Sequence, residues 1–314
     1  MSSLELPPTD ATLPPIPTEH GNLGHLLPVT YKRTIADWLT EDCPSFDYGG
    51  FVVGNDTKTA TLYGKTEGVL AGVPFVDEIF QQLGCSVEWH LKEGQPFSPS
   101  TSGGKVKIAT VTGPVRNLLQ GERLALNILA RCSGIATQSR KVLVLARKAG
   151  YTGRIAGTRK TTPGFRVVEK YGMLVGGVDQ HRYDLSSMVM LKDNHIWARS
   201  GRIEEAVTAA RSVIGYTGKI EVEVDSVEDA KRAMLSGADV VMLDNFAGDE
   251  LKVAAKGLKE WMREENKTNV ILECSGGLTE GNIGGYLCNE VDVYSTSSIH
   301  QSTQHVDYSL KIDH

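Results

Sequence analysis

No stretch of this 314-residue chain approaches the roughly 18 consecutive apolar residues that a membrane-spanning helix needs. Basic residues are in deficit, 33 Lys and Arg against 38 Asp and Glu, for a net charge of −5. That balance speaks against nucleic acid and anionic membrane surfaces as partners, since both select a basic excess. Lys and Arg are missing altogether from the proline-rich residues 1–30, which therefore resemble neither a secretory signal nor an Arg-rich transit peptide and read as a disordered or surface-draped lead-in. Cysteine is scarce. The five present (Cys43, Cys85, Cys132, Cys274, Cys288) are odd in number and lack metal-type spacing, so reduced thiols in the cytoplasm are expected, with the nucleus left open. The sequons at Asn55 and Asn266 have no other sign of secretion beside them. Two phosphate-binding signatures are also absent. Gly64-Lys65-Thr66 has Thr59 where a Walker loop needs glycine, and no dinucleotide-type glycine fingerprint follows a first strand.

What is present is a change of texture near Gly150. From Gly49 to Lys107, short runs such as FVVG, TATLYG and KVKIATVTG predict strands of an open sheet, with one helix from VPFVDEIFQQLG. Arg116 to Gly150 predicts a long helical tract broken near Cys132-Ser133-Gly134. Beyond it RIAGT, SMVML, KIEVEV, DVVML, NVILEC and VDVYS read as strands alternating with amphipathic helices, the pattern of βα units around a parallel sheet. Almost every strand ends on polar residues: Thr158-Arg159, Lys192-Asp193, Glu223, Asp244-Asn245, Ser275-Gly276 and Ser295 to Ser298. Barrels carry their chemistry at strand carboxyl ends. Doubly wound sheets do so too, but without the glycine fingerprint the barrel is preferred.

Against the acidic background, Arg159, Lys160, His181, Arg182 and Lys192 fall between Gly157 and His195, beside glycines, threonines and apolar runs. Five positive groups in such a setting are costly to hold without an anion or acidic partners. A guanidinium such as that of Arg182 grips a carboxylate with two parallel hydrogen bonds. Glu221 and Glu223 alternate along one strand and so share a face. Glu223 and Asp244, one βα unit apart, suit Mg²⁺ together with substrate oxygens; pairing with Lys192 or Lys160 is the other reading, and both can hold, before and after substrate arrives. Ser275-Gly276-Gly277 and the serine run containing Ser297 end the last two strands, where barrels often bind phosphate. Arg123, in GERLALN, lies outside this series and by itself reads as a helix-surface arginine.

Six stretches together resemble the quinolinate phosphoribosyltransferase family: GERLALNILARCSGIAT (121–137), GTRKTTPGFR (157–166), VGGVDQHRYDLSSMVMLKDNH (175–195), EVEV (221–224), LDNF (243–246) and ECSGG (273–277). The resemblance implies an α/β chain. An N-terminal α/β sandwich (31–128, with 299–314 packing back on it) follows the lead-in of residues 1–30 and precedes an incomplete, TIM-like parallel α/β barrel (129–298). It implies decarboxylating transfer of phosphoribosyl from phosphoribosyl diphosphate to quinolinate, giving nicotinate mononucleotide for NAD synthesis, in a homodimer or higher homo-oligomer. By the same match Arg159, His181 and Arg182 hold the quinolinate carboxylates, joined by Arg123 from the neighbouring subunit. Lys160 and Lys192 serve the diphosphate and quinolinate. Glu223 and Asp244 serve the ribose and Mg²⁺, and Ser275, Gly276, Gly277 and Ser297 the phosphate. The family often has glycine where this chain has Ser297. Two rivals are an enzyme of the same fold that takes nicotinate, which needs fewer cations, and a non-catalytic barrel that binds a phosphorylated ligand.

Overall fold

The computed structural model describes residues 21–101 and 103–313, arranged as two compact units. The first takes the chain up to Lys141, Thr161–Gly177 and the chain from Ser302; the second takes Val142–Lys160 and Val178–Gln301. Residues 1–20 of the expected lead-in lie outside the described residues. Its remainder forms a 3-10 turn, Leu23–Leu26, in which the Asn22 side chain accepts the Gly24 N–H and Leu23 is buried.

Two helices open the first unit, α1 (Tyr31–Asp42) and α2 (Tyr48–Val53). They are followed by β1 (Thr57–Gly64), β2 (Gly68–Val69), α3 (Val73–Gln82), β3 (Ser86–Trp89), β4 (Pro96–Phe97) and β5 (Val106–Pro114). β5 lies between β1 and β3 in an antiparallel sheet, and the last strand of the chain, Tyr308–Ile312, pairs antiparallel with the free side of β1. Helix α3 starts at a left-handed Gly72 with Pro74 in its first turn. Its orphan amides are met from a distance, Glu93 accepting from Gly72 N at 2.9 Å and Val73 N at 3.1 Å. A carboxylate at that end complements the helix dipole, yet burial wins and lifts the Glu93 pKa from 4.5 to about 7.

Helix α4 (Val115–Lys148) then runs 34 residues without the break expected near Cys132-Ser133-Gly134. Those small residues are packing devices. Ser133 Oγ accepts from Ala71 N at 3.0 Å and from the Tyr308 hydroxyl at 2.8 Å, and a Cβ on Gly134 would collide with the Gln304 carbonyl. Close backbone approach outweighs the roughly 1 kcal/mol that glycine costs inside a helix.

After α4 come β6 (Arg154–Ala156) and α5 (Arg166–Gly176). Residues 129–141 and 161–177, assigned to the barrel from sequence, fall in the first unit because Val168, Tyr171 and Val175 join its core, with Tyr171 edge-on to Phe75 at 5.3 Å. The second unit continues through β7 (Val189–Leu191), α6 (Asp193–Ala198), α7 (Ile203–Ile214), β8 (Ile220–Val224), α8 (Val227–Leu235) and β9 (Val240–Asp244). Then follow α9 (Gly248–Glu264), β10 (Ile271–Ser275), α10 (Ile283–Tyr286) and β11 (Val293–Ser295), before the chain returns to the first unit with β12 (Tyr308–Ile312).

All six strands read after Gly150 are present. They form one parallel sheet in the order β6-β11-β10-β9-β8-β7, open between β6 and β7, as an incomplete barrel requires. Val240–Leu243 of β9 and Ile220–Val222 of β8 are wholly buried, the two-sided covering that makes parallel strands read as near-continuous apolar runs. Among the described residues no helix is long and apolar enough to cross a membrane.

Glu93 gives a test of the first unit. A carboxyl whose folded pKa lies above its unfolded value binds its proton more tightly when folded, so its stabilisation is full below the unfolded value and is lost as pH rises through about 7. Urea denaturation at a series of pH values should show wild-type stability dropping by on the order of 2 kcal/mol between about pH 5 and 8 relative to Glu93→Gln. Parallel curves for the two proteins would refute the assignment.

Candidate active site

The candidate residues of the second unit lie at or just beyond the carboxyl ends of strands, except His181 and Arg182, which sit between α5 and β7. After β6 come Arg159 and Lys160. Between β6 and β7 the chain turns at Asp179, whose Oδ1 accepts the His181 N–H at 2.7 Å, and His181 itself adopts a left-handed φ of 57°. This turn sets the next residue, and Arg182 Nη1 donates to Met188 O at 3.2 Å. Burial lowers the Arg182 pKa, and the charge of Arg159 lowers it further. Two guanidinium groups are thus held within each other's field, as expected of a receptor for a multiply charged anion.

Lys192 is the N-cap residue of α6, and its ammonium pairs with Glu223 on β8. Asp244, at the end of β9, has its pKa raised by partial burial and by the negative charge of Glu223, while Lys192 and Lys160 pull it down. Of the two sequence readings the lysine pairing is present, between Lys192 and Glu223, and the carboxylates of Glu223 and Asp244 are close enough to repel.

Ser275 is in register with Asp244, and its Oγ donates to Ser295 O at 3.3 Å. Gly276 (φ 104°) and Gly277 (φ 61°) carry the chain away in left-handed conformations, where a Cβ on Gly276 would strike Asn245. Ser297 begins a 3-10 turn, Ser297–Ile299, capped by the Thr296 hydroxyl accepting from Ser298 N at 3.1 Å. Arg123 is in the first unit, exposed on α4.

Below these groups is a feature not picked out from sequence. Glu221 and Glu273 are buried within β8 and β10, and the His181 ring lies against both, its Nε2 3.1 Å from Glu273 Oε1 and 3.7 Å from Glu221 Oε2. His181 Nδ1 accepts the Arg182 N–H at 2.8 Å, so the ring proton resides on Nε2 and points at Glu273. Glu273 also accepts the Ser295 hydroxyl. Burial, reinforced by the Glu273 charge, raises the Glu221 pKa well above the ordinary carboxylate range. The three side chains are close enough to suggest a metal site. A proton on Nε2 argues against it, because that nitrogen has no free lone pair to give. The signal that could have found Glu273 is its spacing, two residues before Ser275 and hence on the same face of the strand.

Burial raises the Cys132 thiol well above its ordinary range and the Cys274 thiol to about 12, which disfavours the thiolate in both. The buried carboxylate is testable by itself. Glu273→Ala leaves the His181 and Ser295 donors without an acceptor and should cost about 2–4 kcal/mol in urea denaturation, while Glu273→Gln, which keeps one acceptor, should cost clearly less. Equal losses would contradict the network.

Residues 36–133 match the family model described as quinolinate phosphoribosyl transferase, N-terminal domain, and residues 135–311 match the corresponding C-terminal domain. A protein of Dictyostelium discoideum named nicotinate-nucleotide pyrophosphorylase (carboxylating) is 48% identical over 301 residues, covering 92% of this chain and 98% of its own length. The Homo sapiens protein of that name is 47% identical, covering 91% and 93%. The solved nicotinate-nucleotide pyrophosphorylase of Francisella tularensis superposes with a TM-score of 0.80 at 30% identity, over 91% of this chain and 98% of that one. Human nicotinic acid phosphoribosyltransferase, at 14% identity and a TM-score of 0.52 over 91% of this chain and 74% of that one, shares the fold alone. Matched in both of its domains and along nine-tenths of its length, the chain belongs to the quinolinate phosphoribosyltransferase family.

Proposed function

We propose that the strand-end residues of the parallel sheet carry out the family's reaction. Read in the synthetic direction, a carboxylating nicotinate-nucleotide pyrophosphorylase joins quinolinate to phosphoribosyl diphosphate and releases CO₂ and diphosphate. This chain is that enzyme, a decarboxylating phosphoribosyltransferase that makes nicotinate mononucleotide for NAD synthesis. The observation that best supports the assignment of roles is Arg182 within the electrostatic field of Arg159, in the unit that also holds the Lys192–Glu223 pair and Asp244.

Arg159 and Arg182 orient the diacid, with the tighter grip on the 3-carboxylate, which stays in the product. A firm hold on the 2-carboxylate would oppose its departure. Lys160 and Lys192 neutralise the diphosphate, and on its arrival Lys192 exchanges Glu223 for the substrate. Glu223 and Asp244 then face the ribose hydroxyls, and as paired oxygen donors they would hold Mg²⁺ together with the diphosphate, where the ion would offset charge on the leaving group. The left-handed glycines after Ser275 and the turn at Ser297 offer backbone N–H groups to the 5-phosphate. Attack by the pyridine nitrogen makes a pyridinium ring, which takes up the electron pair released as the C2 carboxylate leaves as CO₂; a proton then completes C2. The residues therefore act by positioning and electrostatics. His181, with its proton directed to Glu273, supports Arg182 from beneath. The reduced cysteines fit a cytoplasmic protein.

The reaction is tested by incubating the protein with quinolinate, phosphoribosyl diphosphate and Mg²⁺ and measuring CO₂. Release is expected, falling on the order of 100-fold in kcat/KM for Arg182→Ala. Product from nicotinate without CO₂ from quinolinate would reverse the substrate assignment.

A homodimer with Arg123 supplied to the neighbour's site is the further part of this reading. Its support is α2, whose Tyr48, Phe51 and Val52 are 77–89% exposed and whose cap residue Asp47 accepts from Gln120, one helical turn before Arg123 on α4. Mixing inactive Arg123→Ala with inactive Lys192→Ala should restore about a quarter of wild-type activity, because half the reassorted dimers hold one intact site. No recovery after subunit exchange would place Arg123 outside the neighbour's site.

A further inference from the structure

Two segments of the second unit, the turn after β6 and the loop after β11, are fastened together at three successive points. Thr296 N donates to Ala156 O at 2.9 Å. Thr158 N donates to His300 Nε2 at 3.3 Å, with the Thr158 hydroxyl 3.1 Å from the same nitrogen. Gln301 Nε2 donates to Lys160 O at 3.0 Å.

The chemistry of these bonds gives each a direction. A ring nitrogen that accepts an amide N–H carries no proton, so His300 has its proton on Nδ1, and the Thr158 N–H and hydroxyl share the single lone pair of Nε2. That hydroxyl accepts in turn from Lys160 N at 3.1 Å. The Lys160 peptide is thereby held at its N–H through Thr158 and His300, and at its carbonyl directly by Gln301. On the loop side, the N–H groups of His300 and Gln301 both donate to Ser297 O, at 3.0 and 2.7 Å. The ring of His300 is completely buried. A displacement of Ser297 therefore moves the two residues that fix the backbone of Lys160.

We propose that His300 and Gln301 are positioning residues that couple the phosphate-binding turn at Ser297 to the Arg159–Lys160 turn, so that filling the first tightens binding of the diacid at the second. This rests on the roles assigned to both turns under Proposed function. A 5-phosphate on the turn orders Ser297 to Gln301, and through the two fastenings the same ordering reaches Lys160 and Arg159. The diacid then meets cations already in place, and the entropy of arranging them falls on the first ligand. Neither residue touches a substrate: His300 acts through Thr158, and Gln301 through a main-chain carbonyl.

The test is isothermal titration of quinolinate, with and without saturating ribose 5-phosphate, into wild type, Gln301→Ala, His300→Ala and His300→Gln. Wild type should bind quinolinate about 5-fold or more tightly when ribose 5-phosphate is present. Gln301→Ala and His300→Ala should lose that factor while still binding quinolinate, and His300→Gln, whose side-chain amide has an acceptor at the reach of Nε2, should keep it. A purely structural role would instead lower thermal stability and weaken both ligands together, with the ratio intact. If His300→Ala does not fold, Gln301→Ala decides, since its side chain is exposed and its loss removes a single hydrogen bond. Equal affinities with and without ribose 5-phosphate in wild type, or wild-type coupling in Gln301→Ala, would overturn the proposal. Wild type that neither binds quinolinate nor releases CO₂ from it would instead overturn the underlying functional reading, and this inference with it.

Discussion

The hydrogen bond from His181 to the buried carboxylate of Glu273 is the constraint on which the cationic half of the site depends. It fixes the ring tautomer, and the ring's other nitrogen takes the Arg182 N–H, so the left-handed turn that aims Arg182 is held from below. The same carboxylate accepts the hydroxyl of Ser295, the last residue of β11 and the one that leads into the turn at Ser297. One acid thus joins the Arg182 turn, the proposed carboxylate arm, to the strand that leads into the proposed phosphate turn. Its burial is tolerable because its acceptor capacity is used twice, whereas Glu221, with no hydrogen bond, answers burial by a raised pKa.

The rest of the site follows an electrostatic logic of exchange. Lys192 is paired with Glu223, and the charge of Lys160 reaches Asp244, so the unliganded centre is close to balanced although it is crowded with charge. In the proposed reaction a diphosphate or a diacid enters such a centre by trading partners, with Lys192 leaving Glu223 for a more highly charged anion. Arg159 repels Arg182, an effect that the carboxylates of Glu221 and Asp184 partly offset.

Much of the second unit was legible because its physics is local. Parallel strands covered on both faces are apolar runs, and the residues that end them, Arg159, Glu223, Asp244 and Ser275, are polar because they leave the sheet. The break expected in α4 failed because Gly134 is small for the sake of a partner, Gln304, 170 residues away, and no local pattern reports that. Glu273 was hidden for a similar reason. A single acid inside ILECS does not announce that two donors converge on it. The allotment of residues 161–177 to the first unit likewise depends on where Tyr171 packs, which only the folded chain reveals.

The central claim is that the cluster between Gly157 and His195 is a receptor for a pyridine diacid. Equilibrium binding of quinolinate and of nicotinate to the wild-type protein tests it most directly, because the two ligands differ by one carboxylate. With two guanidinium groups poised for two carboxylates, quinolinate should bind at least about 10-fold more tightly. Equal affinity for the two, or a preference for nicotinate, would contradict the account.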